Sequence, residues 1–147
     1  MPDSVTIAQT FFDAWNERDF ERGVKLAADD LEIIEVPADE TFRGPGGLRQ
    51  EYEKWANGLP DGEVDIKNAV GGDEWVALEC VIRGTNTGPF VTPVGEIAPT
   101  GRTVKVPFST FLQIRGGKVA KVRHYYDIAS LMSQLGISPE IMAGATA

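Results

Sequence analysis

The sequence predicts an α+β fold in which a strongly twisted antiparallel sheet packs against about three N-terminal helices and closes into a cone. Two observations predict it. Apolar side chains recur at helical spacing through the first part of the chain and at alternating positions after it. Gly and Pro clusters separate these segments where turns are needed. Helices followed by consecutive strands is the α+β order, and a twisted sheet with helices on one face encloses space at its wide end.

Residues 4–17 carry Val5, Ala8, Phe12 and Trp15 on one helical stripe, flanked by Ile7 and Phe11, with Asp3 or Ser4 placed to cap the start. Asp19 is placed to cap a shorter helix reaching about Ala27, with Phe20, Val24 and Leu26 or Ala27 turned inward. LEIIEV, residues 31–36, reads as a first strand ended by Pro37 and the polar ADET. Gly44-Pro45-Gly46-Gly47 opens a third helix over about 45–57, with Leu48, Tyr52 and Trp55 on one side. Val64, Ile66 and Val70 mark a strand, and Gly71-Gly72-Asp73 a turn. Residues 75–86 form a longer strand with Trp75, Ala77, Glu79, Val81 and Arg83 on one face and Val76, Leu78, Cys80 and Ile82 on the other. Residues 87–101 form a long connection rich in Gly, Pro and Thr. Strict alternation from Val104 to Ile114 marks a strand over 102–114, and Arg115-Gly116-Gly117-Lys118 a tight hairpin turn. Residues 119–127 make the last strand, and residues 128–135 a closing helix with Gly136 as its stop. No repeat or linker divides the chain, which reads as one domain, 1–147, with a core over about 4–137 and a tail at 138–147.

Composition narrows the function classes. The 147 residues carry a formal net charge of −8, with 42% hydrophobic and 24% charged residues, an ordinary globular balance. An acidic chain repels a phosphate backbone, and Lys118, Lys121 and Arg123 make too small a basic patch, so nucleic acid is not an expected partner. No apolar run approaches the roughly 20 residues that span a bilayer, so a membrane is not one either. MPDSVTIAQTFF lacks the basic start of a signal peptide, and Cys80 is the only cysteine, so a cytoplasmic location is expected. No His/Cys cluster has metal-ligand spacing, and the Gly44–Gly47 run lacks the Gly-Lys-Ser/Thr of a phosphate loop. Neither a metal nor another cofactor is therefore expected.

Candidate chemistry gathers at the end of the last strand. Alternation places Arg123, Tyr125 and Asp127 on one face and His124 and Tyr126 on the other. Asp127 in an apolar pocket is a stronger base than in water, because burial raises a carboxyl pKa. With Asp127 facing that pocket, Arg123 or Tyr125 is placed to orient it or to donate to an oxyanion. Arg123 also favours the ionised carboxylate, which weakens it as a base. The other reading of Asp127 is the N-cap of the helix that follows. His124 is the only histidine and titrates near neutral pH, as a catalytic or a structural group. Asn86 either orients a carbonyl or serves the turn after Gly84-Thr85. Trp15, Tyr52, Trp55 and Phe108 are core or ligand-contacting wall, with Tyr125 as a further contact.

WNERDFERGVKLAADDLEI resembles the first two helices and first strand of the nuclear transport factor 2-like superfamily, and FRGPGGLRQEYEKW is similar to its third helix. GTNTGPF, PTGRTVKV and GGKVAKVRHYYDIASLMSQLG together resemble the SnoaL-like polyketide cyclases, also called the ester cyclase-like group. The resemblance spans about residues 4–137. It implies an intramolecular aldol-type ring closure of a polyketide ester without a metal. The aspartate just before the last helix, Asp127 here, would act as acid and base. It also implies a homodimer formed through the open sheet face. Two positions depart from the family pattern, which often has His where Asn86 stands and Trp where Arg123 stands. The expected ligand is a hydrophobic or carbonyl-rich small molecule. Isomerisation or epoxide hydrolysis is the alternative, and two acids sharing one arginine inside the cavity would mark the latter. A filled core with Asp127 only capping the helix would mark a non-catalytic binding or dimerising domain.

Overall fold

Asp3 accepts a hydrogen bond from the Thr6 N–H and so caps α1 (Ser4–Asn16), which buries Ile7, Ala8, Phe11, Phe12, Ala14 and Trp15. The structure is a computed structural model and describes residues 3–92 and 95–137, so the expected tail at 138–147 lies outside the described residues. Asp19 caps α2 (Phe20–Val24). This helix stops short of the expected Ala27, because β1 (Ala27–Glu35) begins there and Val119 N–H donates to the Leu26 carbonyl at 2.7 Å. Backbone pairing with the last strand outweighs the helical pattern of the segment.

A 3-10 turn at Val36–Ala38 and the left-handed Asp39 (φ 50°) lead into β2 (Glu40–Arg43), which pairs antiparallel with β1. The sequence reading ends at the polar ADET and misses this strand, since an edge strand carries polar side chains without penalty. The helix α3 (Gly44–Gly58) follows. Then come β3 (Glu63–Gly71) and β4 (Trp75–Thr85). The long connection holds a two-stranded ribbon, β5 (Phe90–Thr92) with β6 (Gly95–Ile97), through which Phe90 is buried. The chain ends with β7 (Thr103–Arg115), β8 (Lys118–Tyr126) and α4 (Ile128–Gln134). Gly136 terminates α4 at φ 76°: its N–H reaches the Ser133 carbonyl, and Ile137 N–H reaches that of Met132, the double closure of a Schellman motif.

Six strands form one curled sheet in the order β2-β1-β8-β7-β4-β3, antiparallel except where β1 meets β8. The fold is α+β. Its inner face carries Val76, Leu78, Cys80 and Ile82 from β4 and Val104, Val106 and Leu112 from β7, all buried under the helices. Burial pushes the Cys80 thiol up to about 12, which leaves it protonated and unreactive. Register then decides the last strand: Leu112 faces Val122, Thr110 faces His124 and Phe108 faces Tyr126, so the even positions of β8 share the inner face. Arg123 and Tyr125 take the outer face. The Arg123 guanidinium lies 4.9 Å from the Trp75 ring centroid, and Tyr125 meets Phe111 edge to face at 5.9 Å. Among the described residues no helix is long and apolar enough to cross a membrane.

Candidate functional site

The helices and the inner face enclose a cavity of about 60 Å3. From α1 come Phe11, Phe12 and Trp15, and from α3 Glu51, Tyr52 and Trp55. The sheet adds Val64, Ile82, Val106, Phe108, His124 and Tyr126, and α4 adds Leu131. The spacing within α3 explains its share: Leu48, Glu51, Tyr52 and Trp55 stand three or four residues apart and so lie on one side. Gly23 lets that side approach α2, because a Cβ there would overlap the Tyr52 ring.

One end of this apolar cavity is charged. Glu51 and His124 are 4% and 8% exposed. Imidazole Nε2 lies 3.2 Å from Glu51 Oε2 and 3.4 Å from Oε1, with only Oε1 aligned for a hydrogen bond. The other ring nitrogen, Nδ1, and Glu51 Oε2 are buried without a hydrogen-bond partner among the described residues. Phe12 and Phe108 pack edge-on against the imidazole and fix its plane.

A second ionic group stands behind the wall. Glu35, the last residue of β1, is fully buried and accepts hydrogen bonds from three directions. Lys54 Nζ donates to Oε1 at 2.8 Å, Trp55 Nε1 to Oε2 at 2.9 Å, and Tyr126 OH to Oε1 at 3.4 Å. Lys54 also reaches Glu40 Oε1 at 2.7 Å, toward the surface.

The charges tune one another. Burial disfavours the imidazolium of His124, but the adjacent Glu51 carboxylate outweighs it and holds the pKa above the ordinary 6.5. Burial likewise opposes ionisation of Glu51, and His124 overrides it, holding the carboxyl below its ordinary range. Glu35 moves the other way: burial and then repulsion from Glu51 raise its pKa, and Lys54 offsets only part of this. Lys54 stays charged, since Glu35 and Glu40 together overcome its desolvation. Burial keeps the Tyr52 and Tyr126 hydroxyls protonated well above the ordinary 10.

Among the sequence-chosen residues, Trp15, Tyr52, Trp55, Phe108 and His124 stand in this wall. The others do not. Asp127 is exposed at the mouth of α4, where its carboxylate caps the helix by accepting from Ser130 N–H at 3.1 Å. The structure corrects its expected place in the pocket: β8 ends at Tyr126, and the carboxylate of Asp127 turns to the start of α4 instead. Arg123 and Tyr125 lie at odd positions of β8, on the outer face and away from any ligand in the cavity. Asn86 is fully buried but spent as a loop staple. Its amide donates to the Gly58 and Gly88 carbonyls, and its Oδ1 accepts from the N–H and the hydroxyl of Thr100. Sequence reasoning missed Glu35, Glu51, Lys54 and Tyr126. Among the described residues no group of three or more His, Cys, Asp or Glu side chains is placed to hold a metal ion.

Asp127→Asn is accordingly expected to leave turnover and folding unchanged, because Asn caps as well as Asp. Asp127→Ala should cost about 0.5–2 kcal/mol of stability, read by urea unfolding. A hundred-fold loss of turnover in a folded Asp127→Asn protein would return the acid/base role to Asp127.

Comparison with known proteins finds a matching family for the chain. The family described as SnoaL-like polyketide cyclase matches residues 5–135. A protein described as a candidate SnoaL-like polyketide cyclase from a Jannaschia species superposes with a TM-score of 0.79 at 22% identity, covering 92% of each chain. IdmH from Streptomyces antibioticus, described as a candidate polyketide cyclase, gives 0.74 at 23% identity, over 90% of this chain and 97% of that one. A hypothetical protein of ketosteroid isomerase-like fold from Catenulispora acidiphila gives 0.76 at 21% identity, over 91% and 95%. At these identities the likeness is one of fold. No curated protein matches this chain.

Proposed function

The chain belongs to the SnoaL-like polyketide cyclase family, and from that premise we propose that it is a cofactor-independent acid/base enzyme acting at a carbon beside a carbonyl, with His124 as the proton carrier and Glu51 as its partner. The observation that carries this reading is the buried carboxylate–imidazole pair at the one polar end of an aromatic cavity.

Glu51 engages Nε2, which leaves Nδ1 as the nitrogen free to take a proton. The carboxylate then stabilises the imidazolium, and the imidazolium faces the enolate it has created. Returning that proton to a different carbon gives isomerisation, and attack of the enolate on a second carbonyl gives ring closure. Both begin with the same abstraction. Epoxide hydrolysis is less well supported, since among the described residues no arginine stands in the cavity wall. Asp127 capping α4 is what a non-catalytic module predicts, yet the open cavity with its ionisable pair favours an enzyme. The test is deuterium uptake from D2O into enolisable ketones, read by mass spectrometry. Uptake at the uncatalysed rate across small ketones and linear polyketide esters would overturn the reading.

We also propose that two copies pair through the outer sheet face. Phe111 and Tyr125 are 37% and 40% exposed there and touch each other beside the Trp75–Arg123 stack. Light scattering should give a dimer mass that falls on Phe111→Asp substitution. A monomer mass for the unsubstituted chain across micromolar concentrations would contradict it.

A further inference from the structure

The aromatic wall contains four side chains with a polar atom, and each turns that atom away from the cavity. Trp15 Nε1 donates to the Tyr52 carbonyl at 3.0 Å, and Tyr52 OH to the Phe11 carbonyl at 2.5 Å. Trp55 Nε1 and Tyr126 OH both donate to Glu35. Each donor is therefore committed to the protein, and its ring presents carbon to the interior. The rest of the wall is Phe, Val, Ile and Leu, apart from Glu51 and His124. Among the described residues, the polar atoms of the wall buried without a partner are Glu51 Oε2 and His124 Nδ1, at the one end where Thr110 Oγ1, opposite His124 on β7, is also unpartnered.

We propose that the cavity selects a ligand with a single polar pole: a small apolar body carrying one enolisable carbonyl, with no hydroxyl or second carbonyl remote from it. This rests on the acid/base reading above and narrows it to isomerisation, away from heavily oxygenated polyketides and from ring closure, which needs the second carbonyl. A hydroxyl placed among the rings would lose its water and find no partner, which weakens binding on the order of ten-fold or more. Size points the same way. A volume of about 60 Å3 corresponds to roughly four to six water-sized sites, well below the cavity of about 150 Å3 that holds benzene, so a body of about five heavy atoms fits.

Butan-2-one and 4-hydroxybutan-2-one make the test pair, since they match the cavity in size and differ only in a hydroxyl at the end remote from the carbonyl. Binding is read by chemical-shift changes of the His124 ring and by tryptophan fluorescence. Butan-2-one is expected to bind at least ten-fold tighter. Equal or tighter binding of the hydroxylated compound would overturn the inference, and so would failure of butan-2-one to bind at millimolar concentration. Deuterium uptake at the carbons beside the butan-2-one carbonyl is followed in the same samples. Tighter butan-2-one binding with no catalysed uptake would sink the His124–Glu51 assignment and leave the single-pole inference standing.

Discussion

His124→Gln is expected to lower catalysed deuterium uptake by roughly 10^2–10^4-fold, the usual loss when a positioned general base is removed. Glutamine keeps a donor toward Glu51 but has no nitrogen that takes a proton at neutral pH. His124 is the only histidine in the chain, so no other imidazole can substitute. Glu51→Gln should also lower uptake and should change its pH dependence, because the imidazole loses the charge that raises its pKa. An uptake rate unchanged in a folded His124→Gln protein would exclude the imidazole as proton carrier.

Lys54→Met is expected to be the most destabilising single change at the site. It leaves Glu35 buried without its cation, and breaking a buried pair in this way costs about 3–5 kcal/mol. Glu40 is partly exposed and is solvated when it loses the same lysine. The cost has a pH signature. A carboxyl whose folded pKa lies above its ordinary 4.5 is best tolerated below that value. Stability is then lost as pH rises through the folded pKa. Lys54→Met should therefore be more damaging at pH 8 than at pH 5. The double variant Glu35→Gln with Lys54→Met should recover part of the loss, since it removes the stranded charge while its amide oxygen still accepts from Trp55 Nε1. Urea unfolding at the two pH values reads both effects, and a Lys54→Met protein as stable as the original would show that the pair is not held as described.

Much of the fold was legible because the helical and strand periods are clean. The Val76–Ile82 face and the Arg115–Lys118 turn follow from alternation and turn chemistry alone. The charged end of the cavity was legible too, but only by trusting period over residue type. Glu35 continues the inward alternation of Leu31 and Ile33, and Glu51 stands three residues after Leu48 and four before Trp55. A carboxylate in an apolar position reads as solvent-facing until a partner is known, and the partners lie far along the chain: Lys54 for Glu35, His124 for Glu51. Asp127 misled for the opposite reason. Alternation groups it with Arg123 and Tyr125, but β8 ends at Tyr126, and the strand's own sequence does not say which group faces inward. That follows from pairing with β7, where Thr110 and Leu112 lie inside opposite His124 and Val122. The β2 hairpin stayed hidden because its polar edge carries no period signal.

The central claim is that His124 and Glu51 form one acid/base unit, and titration of the His124 ring by NMR tests it without a substrate. Glu51 lies against the ring, the charges of Glu35 from β1 and Lys54 from α3 also act on it, and Glu51 has the largest favourable effect on its cation. The expected midpoint lies above 6.5 in the unsubstituted protein and falls in Glu51→Gln, where burial acts unopposed by that charge. By the same linkage, the pair's contribution to stability is complete below 6.5 and is lost as pH rises through the folded-state midpoint. A midpoint at or below 6.5 that does not move in Glu51→Gln would contradict the account.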